Sequence, residues 1–445
     1  SIPKVMHPLC GRPMIAWPVN AAREAGAGRV AAIVSPDRDL SAALPDGTET
    51  IVQPEADGTG GAVRAALDLV RDSGTVLVLS GDHPLISADV VRGLLEAHRE
   101  SGAAATVMTT VLEEPGNYGR IIRDDHGNLD RIVEAKEPGD ATPEQLAIRE
   151  VNTGTYAFDA AALAEALGRI GNDNAQGEYY LGDVLPELRS AGQSIAAYLA
   201  TDDGVTLGVN DRADLARAEA EGRRRILTAH MKAGVTVTDP AAVWIDADVR
   251  LAPDVTILPG TTLRGDTEIG AGSVVGPVTT LIDVKLGENV SVPHSYLAEC
   301  EVLDGCTVGP FAHLRPGALL REGAKAGAFV EVKNAELGEG AKVPHLSYVG
   351  DADIGPGSNI GAGAITANYD GSRKHRTVIG RDVRIGVDTM LVAPVEVGDS
   401  AYTGAGAVIR EDVPPGALAV SANDQRNIER HAERKEERAE GEDGR

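Results

Sequence analysis

The stretch ILPGTTLRGDTEIGAGSVVGPVTTL, residues 257–281, places Ile257, Leu263, Ile269, Val275 and Leu281 six residues apart. Gly, Pro or Ala often follows three to five positions on. The register resets and resumes at Val302, Val308, Leu314 and Leu320, and again at Ile379, Ile385, Leu391 and Val397. A fixed period of six over about 150 residues marks a repeat architecture. Each unit supplies one short flat strand, one inward aliphatic side chain and a small residue at the corner. Stacked coils bury the aliphatics in columns, and each coil is stabilised mainly by its neighbours. The pattern predicts a parallel β-helix from about Val249. It breaks at Asn368–Arg376, and an insertion in a solenoid forms a loop on one face, often the binding face. After Val413 the chain is expected to leave the helix, and the charged tail Glu429–Arg445 has too few apolar residues to fold alone.

Upstream the grammar differs. Ala31–Val34 and Val76–Leu79 read as buried parallel strands, with an amphipathic stretch, Gly60–Val70, between them. Further strands are expected at Ala104–Val111, Arg131–Glu134 and Thr155–Phe158, giving an α/β unit with a mostly parallel sheet. Arg212–Lys232 reads as one long charged helix joining the two halves.

Composition limits the function. The 445 residues exceed one ordinary core. A net charge of −25 repels nucleic acid backbones and anionic membranes, so neither is expected as a partner. No apolar run is long enough to span a bilayer. Cys10, Cys300 and Cys306 form neither a metal-ligand spacing nor a disulfide framework, which suits a reducing compartment.

Several constellations could carry chemistry. Asp82 follows a buried strand in Leu79-Ser80-Gly81-Asp82, where a carboxylate can hold magnesium beside nucleotide phosphates. A turn aspartate is an equal reading. Gln53-Pro54-Glu55-Ala56-Asp57-Gly58-Thr59-Gly60 could bring backbone amides to a ligand or simply start a helix. Lys4 alone reads as a solvated surface charge. In the repeat half, Arg315 and Lys333 are three hexapeptides apart, so they stack if three units make a turn. Two aligned cations make a phosphate clamp. His345 is a candidate general base or a structural histidine. The cluster of Arg315, Lys333, Tyr348 and Asn359 around it favours the base.

These residues are very similar to those of the bifunctional bacterial N-acetylglucosamine-1-phosphate uridyltransferase/glucosamine-1-phosphate acetyltransferase family, over nearly the whole chain. The specific pieces are Pro3-Lys4-Val5, Gly58-Thr59-Gly60, Gly81-Asp82, Tyr118-Gly119-Arg120-Ile121, Val151-Asn152-Thr153-Gly154 and Asn174–Tyr180. In the second half they are Gly309–Ala312, Leu314–Gly317, Ile360–Gly363, Asn368–Gly371 and Leu391–Val395. The resemblance implies an α/β Rossmann-like nucleotidyltransferase domain (1–211), a linker helix (212–232), a left-handed parallel β-helix acetyltransferase domain (233–426) and a charged tail (427–445).

It also implies two activities. The second half acetylates glucosamine-1-phosphate with acetyl-CoA. The first joins the product to UTP with release of pyrophosphate, making UDP-N-acetylglucosamine for peptidoglycan and lipopolysaccharide. Lys4, Gln53, Gly58, Thr59, Ser80, Gly81, Asp82, Gly119, Glu134, Asn152 and Asn210 would line the nucleotide-sugar pocket, with Asp82 and Asn210 holding magnesium. Arg315, Glu331, Lys333, Tyr348, Asn359 and Lys374 would bind glucosamine-1-phosphate, with His345 as the base. Ala362, Asn368, Tyr369, Val387, Ala405 and Ala422 would meet acetyl-CoA. The family implies a cytoplasmic homotrimer with acetyl-transfer sites shared between subunits.

Four departures stand out. Relatives usually carry serine at Val387, arginine at Ala422 and often tyrosine at Ser80. They also open with a strand and a Leu-Ala-Ala-Gly-x-Gly-Thr-Arg-Met phosphate loop, and this chain begins just after its expected place. The competing readings are a nucleotidyltransferase for another sugar with a degenerate β-helix, and a trimeric scaffold.

Overall fold

A computed structural model describes residues 2–135, 141–172, 177–421 and 427–433. The chain forms two compact units, Ser1–Ile226 and Leu227–Arg445, and the helix Arg212–Lys232 contains the division between them.

In the first unit the sheet is mixed. The ten-residue strand Glu150–Asp159 is its centre. It pairs antiparallel with Thr75–Val78 on one side and with Ala105–Val111 on the other. Ile195–Leu199 runs parallel to Ala105–Val111, and Arg120–Arg123 pairs antiparallel with Leu129–Val133. Ala31–Val34 pairs in parallel with Glu49–Val52 as a separate two-stranded sheet. The expected mostly parallel sheet is therefore corrected, and Val76, Leu77 and Val78 are half-buried. A short apolar run signals burial but not strand direction. The amphipathic stretch forms two helices, Thr59–Ala65 and Leu67–Arg71, broken at Ala66. The main core lies beneath the sheet, with Phe158, Leu163, Leu167, Ile121 and Leu185 almost fully buried.

The second unit is a left-handed parallel β-helix. Its strands stack into three parallel sheets of 11, 10 and 9 strands, beginning at Thr236–Val237, earlier than the repeat was legible. Ile257, Leu263, Val275 and Leu281 are fully buried, as are Thr261, Thr267, Ser273 and Thr279 at the next inward position. Their hydroxyls are satisfied by coil carbonyls; Thr261 Oγ1, for example, donates to Leu258 O at 2.7 Å. Where a turn needs only five residues, as from Val332 to Leu337, a single residue with positive φ closes it: Asn334 (44°) and, one coil on, Asp351 (49°). Asn and Asp accept this conformation at low cost.

One coil is longer: Asn359 pairs with Arg384, and the segment between them includes the loop 368–376. The chain does not leave the helix at Val413, which bridges Val397; Leu418–Ala419 adds a further strand against Tyr402–Thr403. Leu418 is 65% exposed, so no inward aliphatic announced that strand.

Candidate functional sites

In the first unit, two backbone features assemble the site. The register between Ala105–Val111 and Glu150–Asp159 shifts between Val107 and Thr109, which face Tyr156 and Asn152 respectively. Between those pairs the longer strand has Thr153, Gly154 and Thr155 where its partner has only Met108, with Gly154 at φ 75°. Bulges of this kind re-aim side chains beside active sites. Here the bulge sets Gly154 near Ser80, whose Oγ would lie 3.5 Å from any β-carbon there. Asn152 accepts from Gly154 N through Oδ1 at 2.9 Å and donates through Nδ2 to Tyr156 OH at 2.8 Å. Burial pushes the Tyr156 phenol up to about 12, so it stays protonated.

The second feature is the bond from Val209 N to Asp82 O at 2.9 Å, which places Asn210 beside Asp82 although 128 positions separate them. Asp82 Oδ2 accepts from Lys4 Nζ at 2.8 Å, and both side chains remain over a third exposed. Lys4 is thus no idle surface charge. Tyr118 donates to Thr206 O at 2.6 Å; burial, then Asp82 and Asp214, raises its pKa. Gly119 holds Asn152 through Asn152 N to Gly119 O at 2.9 Å, and Glu134 Oε1 lies 3.6 Å from where its β-carbon would be. Asp183, raised by burial and by Glu134, is a neighbour that sequence reading passed over.

Gly58 adopts φ 97°, and a β-carbon there would meet Tyr179 O at 2.6 Å. The loop before it is tied by Gln53 Nε2, which donates to Asp57 Oδ1 at 2.7 Å and Gly58 O at 3.1 Å. Thr59 Oγ1 accepts from Leu181 N at 3.0 Å. The Tyr179 ring is covered by the Arg64 guanidinium at 3.9 Å. Residues 174–176 of the quoted motif lie outside the described residues.

Among the described residues, no three His, Cys, Asp or Glu side chains cluster to hold a metal. One carboxylate and one amide oxygen, Asp82 and Asn210, suit magnesium, which keeps waters and takes its remaining ligands from substrate phosphates.

In the second unit a ladder of backbone bonds stacks equivalent corners. Leu346 N donates to Ala328 O, Gly363 N to His345 O, Asp388 N to Ala362 O and Gly406 N to Val387 O. His345, Ala362, Val387 and Ala405 therefore form one column, one residue per coil, and His345 and Val387 are exposed. Three of the residues expected to meet acetyl-CoA stand in line beyond the expected base. Ala422 lies outside the described residues.

The cation pair differs in detail. Leu314 faces Val332, which sets Arg315 over Lys333, but Arg315 Nη1 is held by Glu331 Oε1 at 2.7 Å. The second cation at Lys333 is Lys374, whose pKa is lowered chiefly by Lys333. Lys374 is delivered by the 368–376 loop, which is internally braced. Asp370 accepts from Ser372 N and Arg373 N at 2.7 Å and pairs with His375 Nε2 at 2.7 Å, and its pKa falls to about 2. Tyr369 donates to Gly371 O, and Asn368 Nδ2 lies 3.5 Å from Tyr348 OH. Asn359 faces Lys342 in the sheet that also carries His345. Asp351 was missed by sequence reading, because an aspartate at a turn carries no signal of its own.

A second feature of this unit is an apolar ridge. Val278, His294, Phe311, Phe329 and Leu346 occupy positive-φ corners of successive coils. Phe311 and Phe329 stack at 5.2 Å, and they are 56% and 58% exposed.

Residues 1–152 match the MobA-like NTP transferase domain, and residues 376–411 match the six-repeat bacterial transferase hexapeptide model. The chain is 52% identical to the bifunctional protein GlmU of Kineococcus radiotolerans over 96% of this chain and 88% of that protein. The same protein of Mycobacterium bovis is 50% identical, and that of Mycobacterium tuberculosis 49%, each over 97% of this chain and 89% of the relative. With both halves matched in order and the geometry of two sites in place, the chain belongs to the GlmU family.

Proposed function

We infer that this protein makes UDP-N-acetylglucosamine in two transfers: acetyl from acetyl-CoA to glucosamine-1-phosphate, then uridylyl from UTP to the N-acetylated product. The observation that carries the acetyl step is the column of His345, Ala362, Val387 and Ala405, in the same unit that brings Lys374 to Lys333. The column offers an extended track one residue wide, the shape that a long thioester cofactor needs. Lys333 and Lys374 take the sugar phosphate. His345 accepts the proton that the substrate's amine loses as it attacks the thioester carbonyl. Arg315, oriented by Glu331, supplies a further cation, and Tyr348 and Asn359 complete the sugar contacts.

For the uridylyl step, Lys4, Gln53, Gly58, Thr59, Ser80, Gly81, Gly119, Glu134 and Asn152 line the nucleotide-sugar site. Asp82 and Asn210 would hold magnesium, which neutralises charge on the phosphates. Gly58 lets the loop backbone approach its neighbour closely enough to shape the pocket.

The protein works as a homotrimer. The ridge through Phe311 and Phe329 supports this, because a contiguous exposed apolar strip favours burial against another copy. Leu346 ends the ridge next to His345, so a neighbouring subunit would border the acetyl-transfer site. No helix among the described residues is long and apolar enough to cross a membrane. We assign the protein to the cytoplasm, where its substrates and a reducing environment for Cys10, Cys300 and Cys306 are found. An assay of acetyl-CoA consumption with glucosamine-1-phosphate, followed by UTP and magnesium, tests the reading. Formation of UDP-N-acetylglucosamine is expected, and a protein that consumes neither co-substrate would contradict it.

A further inference from the structure

Asp351 closes a five-residue turn with φ 49° and is only 8% exposed. Its backbone N donates to Lys333 O at 3.0 Å, which fixes it one coil beyond that lysine. Its carboxylate takes one amide donor on each oxygen: Asn334 Nδ2 on Oδ1 at 2.6 Å and Asn368 Nδ2 on Oδ2 at 2.5 Å. A buried carboxylate is costly unless paired and hydrogen-bonded. Here burial opposes the charge, while the two amides, with Lys374 and Lys333, outweigh it and hold the carboxyl below its usual range. Lys374 and Lys333 repel one another, and Asp351 offsets that repulsion at Lys374. Asn368 is the root of the braced loop, since its carbonyl accepts from His375 N at 2.8 Å.

We propose that Asp351 is a positioning residue of the acetyl-transfer site, fixing Asn368 at the root of the 368–376 loop and balancing the two lysines that face the substrate phosphate. The inference rests on the acetyl-transfer reading above. Only a carboxylate presents two acceptors and a negative charge at this corner; an amide has one acceptor. Without it, Lys374 moves away from Lys333 and Asn368 loses the acceptor that fixes the root of the loop.

The test compares wild type, Asp351→Asn and the double variant Asp351→Asn/Asn334→Asp in acetyl transfer with glucosamine-1-phosphate. The double variant exchanges the carboxylate and the amide between the two positions. The amide at position 351 then accepts from Asn368 and donates to the carboxylate at position 334, so both bonds and the net charge return. Asp351→Asn should raise KM for glucosamine-1-phosphate and for acetyl-CoA by about tenfold, the size of one lost charge-assisted hydrogen bond. Its melting midpoint should stay near wild type, and the double variant should recover most of the loss. Unchanged KM values, or a fall in kcat that only tracks loss of folded protein, would overturn the proposal. Should Asp351→Asn fail to fold, the double variant decides alone: KM values near wild type support the proposal, and a full defect overturns it. A wild-type protein without acetyl transfer would instead remove the reading on which the proposal stands, and that outcome is distinct because it needs no variant.

Discussion

Lys4 Nζ lies 2.8 Å from Asp82 Oδ2, joining the two ends of a 78-residue separation at the mouth of the first site. With Val209 N bonded to Asp82 O, three distant stretches of chain meet here: those of Lys4, Asp82 and Val209, which precedes Asn210. Removing the carboxylate strips the place where magnesium would neutralise phosphate charge. Asp82→Ala is expected to abolish uridylyl transfer and to leave acetyl transfer at the wild-type rate. Both activities measured on one preparation check this, and parallel loss of the two would make Asp82 a structural residue.

The exposed ridge predicts the assembly. A charge placed on it faces desolvation at any apolar interface. Phe329→Asp should therefore shift the protein from trimer toward monomer in sedimentation at micromolar concentration. It should also reduce acetyl transfer, because Leu346 carries the ridge up to His345. A variant that stays fully trimeric would place the subunit interface elsewhere.

Acid stability follows from a buried histidine in the first unit. His98 is 6% exposed, and its Nδ1 lies 2.9 Å from Thr106 Oγ1. Burial lowers its pKa below the ordinary 6.5, with Arg99 adding to the effect and Asp159 opposing it. The folded state thus resists the proton that the unfolded chain accepts. The contribution is complete above about 6.5 and is lost as pH falls below that value. Urea midpoints between pH 8 and pH 5 should fall more steeply for wild type than for His98→Gln. Identical slopes would show that His98 does not set this dependence.

How much of this was legible in the sequence depends on which side chains carry the signal. Ile257 through Leu281 announced the β-helix, because each inward position needs an aliphatic residue and six residues separate them. The shorter turns at Asn334 and Asp351 were not legible, since the turn length depends on backbone φ and not on apolar spacing. Leu418 escaped because it points outward. In the first unit, Val76–Val78 revealed a strand but not its antiparallel partner. The bulge at Thr153, Gly154 and Thr155 was touched only by the family motif Val151-Asn152-Thr153-Gly154, because its function is to shift register between strands far apart in the chain. Arg315 and Lys333 were placed in register correctly from their spacing. Their partners were not: Glu331 holds Arg315, and Lys374 arrives from a loop whose path the repeat does not encode.

The most direct test of the account is single-site kinetics at His345. As the base, it is expected to contribute about 10²–10⁴-fold to turnover through proton acceptance alone. Substrate affinity would rest on Arg315, Lys333 and Lys374 instead. His345→Ala should lower acetyl-transfer kcat by that factor with little change in the KM for glucosamine-1-phosphate, whereas Arg315→Ala should mainly raise KM. Near-normal kcat in a folded, trimeric His345→Ala protein would contradict the account and leave the imidazole a corner residue of the coil.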